Sequence, residues 1–396
     1  MKILEIITVP FFTPRGTAFS SLERTKALAR MGHTVHVLTY PIGDPINVEN
    51  VYVHRIPRLP FITSIQMGPS FKKLILDVSL AIKTAWWLLV HGPFDIILAH
   101  EESAFWVALL KPFVKGSFIY DMHSSLAEQL SNFRYSKSNI IRKLFESLEQ
   151  LALQKADGVI VICPELEALV RRIAPRAPVG LIENLPVSWD VEPPPMEQID
   201  LLRSMLRLDN CRIVLYTGSF GKNQGVELAL EAVARLASEL PDLRLVLIGG
   251  TGADMARVRS FAETRDMDGF SLFLAPQPHT MMPTYMALAD ILLSPRCEGT
   301  NTPLKIYSYL SSGKPIVATN LLTHTQVLSS GIAELVEPDS ASLAEGILKV
   351  ISDAEYAARL GREGARLARE VYGIERYMQQ LQEVLHLAVP PQCRVR

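Results

Sequence analysis

The chain has 396 residues, 40 basic against 41 acidic side chains, and four cysteines. At roughly 150 residues per domain, that length predicts two to three domains. The near-zero net charge excludes an electrostatically driven nucleic-acid binder, and 48% hydrophobic residues exclude a disordered chain. Cys163, Cys211, Cys297 and Cys393 form no C-x-x-C pair. No zinc site is expected, and isolated thiols suit a cytoplasmic, reducing setting.

In chain order, MKILEIITVPFF reads as a first strand, because an acidic residue interrupts its apolar run where a signal peptide would have none. A Pro/Gly loop from Pro10 to Gly16 leads into an amphipathic helix, SSLERTKALARM, ended by Gly32. HTVHVLTY and VYVHRIP are the next strands. Phe71–Val90 is an amphipathic helix with Lys72, Lys73, Asp77 and Lys83 on one side and Leu, Ile, Val and two Trp on the rest. It fits packing on the sheet, and it fits contact with the inner face of a membrane. Asp77 and Lys83 keep Leu74–Val90 short of the roughly 20 apolar residues of a membrane span. DIILAH, GSFIYDMH and ADGVIVIC are further strands, each followed by polar residues. Arg134–Lys155 joins basic and apolar residues in a second candidate membrane helix.

Repeated strand–loop–helix order predicts an α/β fold with a parallel, doubly wound sheet, whose ligands sit at the carboxyl ends of its strands. The prolines of VEPPPME interrupt the pattern and mark a linker. CRIVLYTGS then opens a second alternation. The expected division is 1–188, a linker at 189–200, a second Rossmann-like domain at 201–374, and a helix at 375–396 that can cross back to the first domain. Two such domains and a hinge predict a central cleft where two substrates meet.

The segment Ser294–Asn320, SPRCEGTNTPLKIYSYLSSGKPIVATN, carries most of the chemistry. A polar loop follows a buried strand. Thr302 is expected as an N-cap, with Pro303 at the first helical position. Amides of Gly299, Thr300, Asn301 and Thr302 and the helix dipole then make an anion site. Arg296 and Lys305 can neutralise a diphosphate, and Glu298 can accept sugar hydroxyls. An ordinary capped helix is the competing reading. Gly218–Gly225 follows a strand in the same way and serves either as a turn or as a phosphate loop. The Gly249–Gly252 turn is no G-x-G-x-x-G fingerprint, so nicotinamide binding is unsupported. His100 and Glu101, and then Asp121, His123 and Ser124, follow first-domain strands.

Ser294–Asn320 resembles the donor-binding motif of the family 4 glycosyltransferases, which have the GT-B fold. Gly313-Lys314-Pro315-Ile316-Val317-Ala318 matches the end of that motif. Ser308 stands where the family has its second glutamate, the one that holds the nucleotide ribose. Glu298 is the nearest candidate for the first glutamate, and a strict count lands on Thr300. The resemblance places Ser219 and Gln224 at the diphosphate-gripping positions, with Lys222 between them as a substitute, and puts Gly218 and Gly250 near the nucleotide. Gly16 matches the family's glycine loop beside the donor phosphate, with Arg15 next to it. His123 matches a histidine that contacts the reacting sugar or the acceptor, and with Glu298 it is the expected catalytic residue. Arg15, His100, Glu101, Asp121, Ser124 and Arg134 are the expected acceptor-side residues.

The resemblance implies transfer with retention from a nucleotide-diphosphate sugar to a glycan or lipid-linked acceptor, as in cell-envelope polysaccharide or glycolipid synthesis. Neither a resident cofactor nor a metal is expected, since no D-x-D pair ends a strand. A sugar-nucleotide 2-epimerase and a noncatalytic sugar-nucleotide-binding partner are the alternatives on the same fold.

Overall fold

The computed structural model describes residues 1–13, 16–62, 65, 70–126, 139–187 and 189–389. Arg15 and Arg134 lie outside the described residues. The chain forms two compact α/β units: Met1–Asn184 with the segment from Ile374, and Leu185–Gly373.

Unit 1 runs β1 (Lys2–Ile7), α1 (Gly16–Arg30), β2 (Thr34–Thr39), β3 (Val51–Arg55), α2 (Phe71–His91), β4 (Ile96–His100), α3 (Ser103–Leu110), β5 (Ser117–Met122), α4 (Asn139–Lys155), β6 (Gly158–Val161), α5 (Pro164–Ile173) and β7 (Val179–Leu181). Among the described residues its seven strands are parallel, in the order β3-β2-β1-β4-β5-β6-β7. The central strands β4, β5 and β6 are buried along their whole length. Helices cover both faces, which is why these strands read as apolar runs and not as alternating patterns.

Unit 2 runs α6 (Met196–Met205), β8 (Arg212–Gly218), α7 (Val226–Leu236), β9 (Leu243–Gly249), α8 (Gly252–Glu263), β10 (Ser271–Leu274), α9 (Met282–Leu288), β11 (Ile291–Ser294), α10 (Lys305–Ser312), β12 (Ile316–Thr319), α11 (Leu322–Thr325), β13 (Glu334–Val336), α12 (Ser340–Ser352) and α13 (Ala354–Val371). Its sheet order is β10-β9-β8-β11-β12-β13, again parallel. Helix α6 starts directly after Pro193–Pro195, inside the stretch read as linker. Helix α12 is capped by Asp339, whose carboxylate accepts from the amides of Ala341 and Ser342.

The C-terminal helical stretch is two helices. After Gly373, α14 (Ile374–Ala388) packs in unit 1, where the Ser117 hydroxyl donates to the Ala388 carbonyl at 2.8 Å and Gln380 donates to the Leu181 carbonyl at 3.1 Å. Strand order reverses direction between β1 and β4 in unit 1 and between β8 and β11 in unit 2. In open α/β sheets, the crevice outside the carboxyl ends of such neighbours is where ligands bind.

Candidate functional site

The loops after β8 and β11 meet at the switch point of unit 2. The Cys297 amide donates to the Asn223 carbonyl at 3.0 Å, and the Cys297 thiol donates to the Lys222 carbonyl. The two loops pack so closely at Gly225 that a Cβ there would lie 1.8 Å from the Pro295 carbonyl oxygen. Its φ of +67° is also left-handed, so only glycine fits.

Side chains hold the β11 loop in shape through its carbonyls. Arg296 donates to the carbonyls of Glu298 (2.7 Å) and Asn301 (3.0 Å). Thr323 donates to the Asn301 carbonyl and Gln326 to the Thr300 carbonyl, each at 2.6 Å. The amides of Gly299 and Thr300 take part in none of these bonds. Arg296 was expected to grip phosphate. The structure gives its Nε and Nη1 to the loop, and Gly299 lies against the guanidinium.

Three polar atoms beside this loop are enclosed without a hydrogen-bond partner: the Lys305 ammonium, the Thr302 hydroxyl and the Gln326 carbonyl oxygen. Buried polar groups are normally satisfied, so this cluster has capacity to bind a ligand or water. Lys305 is half-buried as a residue, but its Nζ is enclosed, 3.7 Å from the centroid of the Tyr216 ring. A Cβ on Gly218, at φ +135°, would sit 3.0 Å from that nitrogen, so glycine leaves the approach to the ammonium open. Burial, and then Arg296, push the Lys305 amine well below its ordinary pKa.

The expected Thr302 cap is not formed. Helix α10 begins at Lys305 with no side-chain cap, and the Ile306 amide donates to the Pro303 carbonyl. Pro303 lacks an N–H and starts a tight turn ahead of the helix, which leaves the Thr302 hydroxyl unused.

Ser308 is buried on α10, and its hydroxyl accepts from the Val187 amide at 2.9 Å. Glu298, Gly299, Thr300, Ser219 and Lys222 are exposed. The Gln224 carbonyl oxygen lies 3.4 Å from the Tyr216 hydroxyl, which donates to the Ser219 carbonyl at 2.6 Å. The Gly250 amide donates to the Gly218 carbonyl at 3.2 Å.

His324 is fully buried. Its Nδ1 lies 2.8 Å from the Thr319 carbonyl and its Nε2 2.8 Å from the Ser294 hydroxyl. It therefore braces the ends of β11 and β12, and burial lowers its pKa to about 4.

In unit 1, two of the expected acceptor-side residues, His100 and Asp121, meet His123 in a buried ion cluster at the ends of β4 and β5. The Asp121 carboxylate lies 2.6 Å from Arg24 Nε, 3.2 Å from His100 Nδ1 and 3.3 Å from His123 Nε2. His100 Nε2 lies 2.8 Å from Glu5, which also accepts from the Thr25 hydroxyl at 2.7 Å. Burial alone would raise Asp121, but Arg24, His123 and His100 hold it well below the usual carboxylate range. Burial lowers His123 despite the nearby carboxylate.

The donor atoms of His100, Asp121 and His123 lie within 4.8 Å of one another. Arg24 already supplies a positive charge to that carboxylate, so the group is built as an ion cluster. Arg24 stacks over the Tyr377 ring of α14, 5.5 Å from its centroid.

Glu101 adopts a left-handed φ of +50°, rare outside glycine and often found at functional sites. The Ser124 hydroxyl donates to its carboxyl at 2.9 Å. Burial, and then Glu102, push Glu101 well above the ordinary carboxylate range. Glu102 pairs with Lys73 of α2 at 2.6 Å and accepts from the Thr8 hydroxyl at 3.0 Å. Asp77 accepts from Tyr40 and pairs with Lys73 at 3.4 Å; burial lifts it to about 6. Gly16 opens α1, and a Cβ there would meet nothing within 4 Å.

Glu5, Arg24, Thr25, Lys73 and Tyr216 escaped the reading of strand ends. The signal for Glu5 was present, a carboxylate inside an otherwise apolar strand.

Each unit matches a known family model. Residues 14–185 match Glycosyltransferase Family 4, and residues 200–367 match Glycosyl transferases group 1. A phosphatidyl-myo-inositol mannosyltransferase of Mycobacterium tuberculosis is 23% identical over 89% of this chain and 88% of its own length. The putative colanic acid biosynthesis glycosyl transferase WcaI of Escherichia coli K12 is 30% identical over 39% of each chain. Among solved structures, a sucrose-phosphate synthase from Thermosynechococcus elongatus superposes with a TM-score of 0.80 at 21% identity, covering 97% of this chain and 98% of its own. Anabaena HepE in complex with UDP-glucose superposes with a TM-score of 0.76 at 18% identity, covering 98% and 99%.

Two parallel-sheet units of this topology, with these structural neighbours, define the GT-B fold. The chain belongs to the group 1, family 4 glycosyltransferases.

Proposed function

We propose that the chain transfers a glycosyl group, with retention of configuration, from a nucleotide-diphosphate sugar to a hydroxyl of a glycan or lipid-linked acceptor in cell-envelope synthesis on the cytoplasmic side. The observation that carries the donor assignment is the enclosed, unpartnered Lys305 ammonium beside the start of α10. A diphosphate supplies the missing partner, and amides of the Gly299–Thr302 loop and the α10 N-terminus add to it. Relatives point the same way: HepE is described in complex with UDP-glucose, and the mycobacterial relatives are named as acting on a phosphatidylinositol. Unit 1 then supplies the acceptor side, through Glu101, Ser124 and His123.

In the reaction, the bond from the anomeric carbon to the diphosphate oxygen breaks and its electron pair leaves with the diphosphate. The acceptor oxygen bonds to the anomeric carbon on the same face, and its proton passes to the departing diphosphate. Lys305 stabilises the charge that develops on that group. Glu298, exposed on the loop, accepts hydroxyls of the sugar. No metal or resident cofactor is assigned a step.

The test is calorimetric titration with UDP, GDP and ADP, with and without a chelator, followed by NMR of the product's anomeric proton. One diphosphate should bind equally well with chelator, and donor and product should share an anomeric configuration. An inverted product, or binding that requires a metal, would overturn this reading.

A further inference from the structure

Helix α2 is apolar on two opposite faces. Leu76, Leu80, Thr84 and Leu88 enter the core of unit 1. On the opposite face Phe71, Leu74, Val78, Ile82, Trp86 and Leu89 are exposed, Phe71 by 77% and Leu89 by 79%. Their spacing places them in one stripe along a helix about 30 Å long. Single exposed apolar side chains are ordinary, but a contiguous stripe of this length marks an interaction surface. Helix α3 packs beside α2, and α4 beside α3; exposed apolar residues there are Leu109 on α3, Phe113 in the turn after it, and Ile140 and Leu144 on α4.

Charge on this layer favours an anionic partner. Lys72, Lys115 and Lys143 are exposed and have no acidic partner among the described residues. Glu146, exposed on α4, already faces Arg142 at 3.6 Å. Asp77 and Glu102 are turned to Lys73 on the inner side of α2.

By length and composition α2 could cross a membrane. Its inner face excludes that course. Four of its residues sit in the core, and Lys73 and Asp77 tie it to Glu102 and Tyr40 at strand ends. A spanning α2 would break those bonds and carry the charges into hydrocarbon.

We propose that unit 1 docks on an anionic lipid bilayer through the outer face of α2, extended by α3 and α4, with α2 lying in the interfacial plane. Trp86, Phe71 and Phe113 insert at headgroup depth, and the three lysines meet anionic headgroups. The same helix carries Lys73 to Glu102, next to Glu101 at the end of β4. Docking therefore fixes the expected acceptor side close to the lipid surface. The inference stands whichever sugar is moved.

The test is flotation of the full chain with phosphatidylcholine vesicles containing about one-third phosphatidylglycerol, compared with pure phosphatidylcholine. The chain should float with the mixed vesicles and bind the neutral ones about tenfold more weakly. Ile82→Gln/Leu89→Gln should lose about tenfold or more in binding with an unchanged melting curve, since both residues are exposed. Lys72→Gln/Lys143→Gln should weaken binding to mixed vesicles and leave binding to neutral ones unchanged. Three results would overturn the proposal: no flotation of the parent, equal flotation of the apolar variant, or self-association in solution abolished by Ile82→Gln/Leu89→Gln. The last would assign the stripe to a second copy of the chain.

Discussion

Replacing Lys305 by methionine should make the protein more stable and less able to bind its donor. The ammonium is enclosed without a hydrogen-bond partner and lies near another cation, Arg296. Leaving a charged group so placed costs about 3 kcal/mol, of which the Tyr216 ring, 3.7 Å away, returns about 2 kcal/mol. Methionine fills a similar volume without the charge. The net gain is about 1 kcal/mol, or about 3 °C in melting temperature for a unit of this size. In the liganded state the balance reverses. A lost charge-assisted bond to phosphate costs about 1.5–3 kcal/mol, which is roughly 10- to 100-fold in Kd. Thermal melts with and without nucleoside diphosphate read both effects in one titration. Lys305→Met that melts below the parent, or that is stabilised by nucleotide as much as the parent, would refute the assignment.

Other consequences follow from the same geometry. Asp121→Asn leaves the buried Arg24 guanidinium without its counter-charge and should cost about 3–5 kcal/mol in urea unfolding of unit 1; a cost under about 1 kcal/mol would show that the cluster is solvated. Gly225→Ala should destabilise unit 2 by more than about 2 kcal/mol, because the new Cβ meets the Pro295 carbonyl at a left-handed φ; a neutral effect in the melt would mean that the two loops separate readily. His324 has a folded pKa of about 4, below its ordinary 6.5, so the unfolded chain binds the extra proton between those values. Stability is full above pH 6.5 and falls by about 3 kcal/mol as pH drops to 4. His324→Gln should flatten that part of the urea-midpoint profile, and an unchanged slope would place the titration elsewhere.

Much of the fold is written in local pattern. Apolar runs ending in polar residues place β1, β4, β5, β8 and β11, and a parallel sheet covered on both faces requires such runs. The short edge strands β7 and β13 were missed because three half-buried residues leave no periodic signal. Val384 of α14, packed against Gly180 of β7, is a contact between distant segments that no window of sequence contains.

The loop after β11 was legible as a polar stretch at a strand end, but not the division of labour within it. Arg296 and Lys305 look alike in sequence. Only the fold shows the first spent on loop carbonyls and the second left without a partner. The ion cluster of unit 1 needs Glu5 and Arg24, whose side chains meet His100 and Asp121 from 95 and 97 residues away. The helix α1 reads in sequence as amphipathic, and its polar residues Arg24 and Thr25 are buried.

Glycosyl transfer is read directly as nucleotide release from a panel of nucleotide sugars, with and without a lipid-linked glycan acceptor. Release of one nucleoside diphosphate should rise with acceptor and match the sugar transferred, and Lys305→Met should weaken the donor's hold roughly 10- to 100-fold. Sugar interconversion without release, or tight binding without turnover on any donor, would contradict glycosyl transfer.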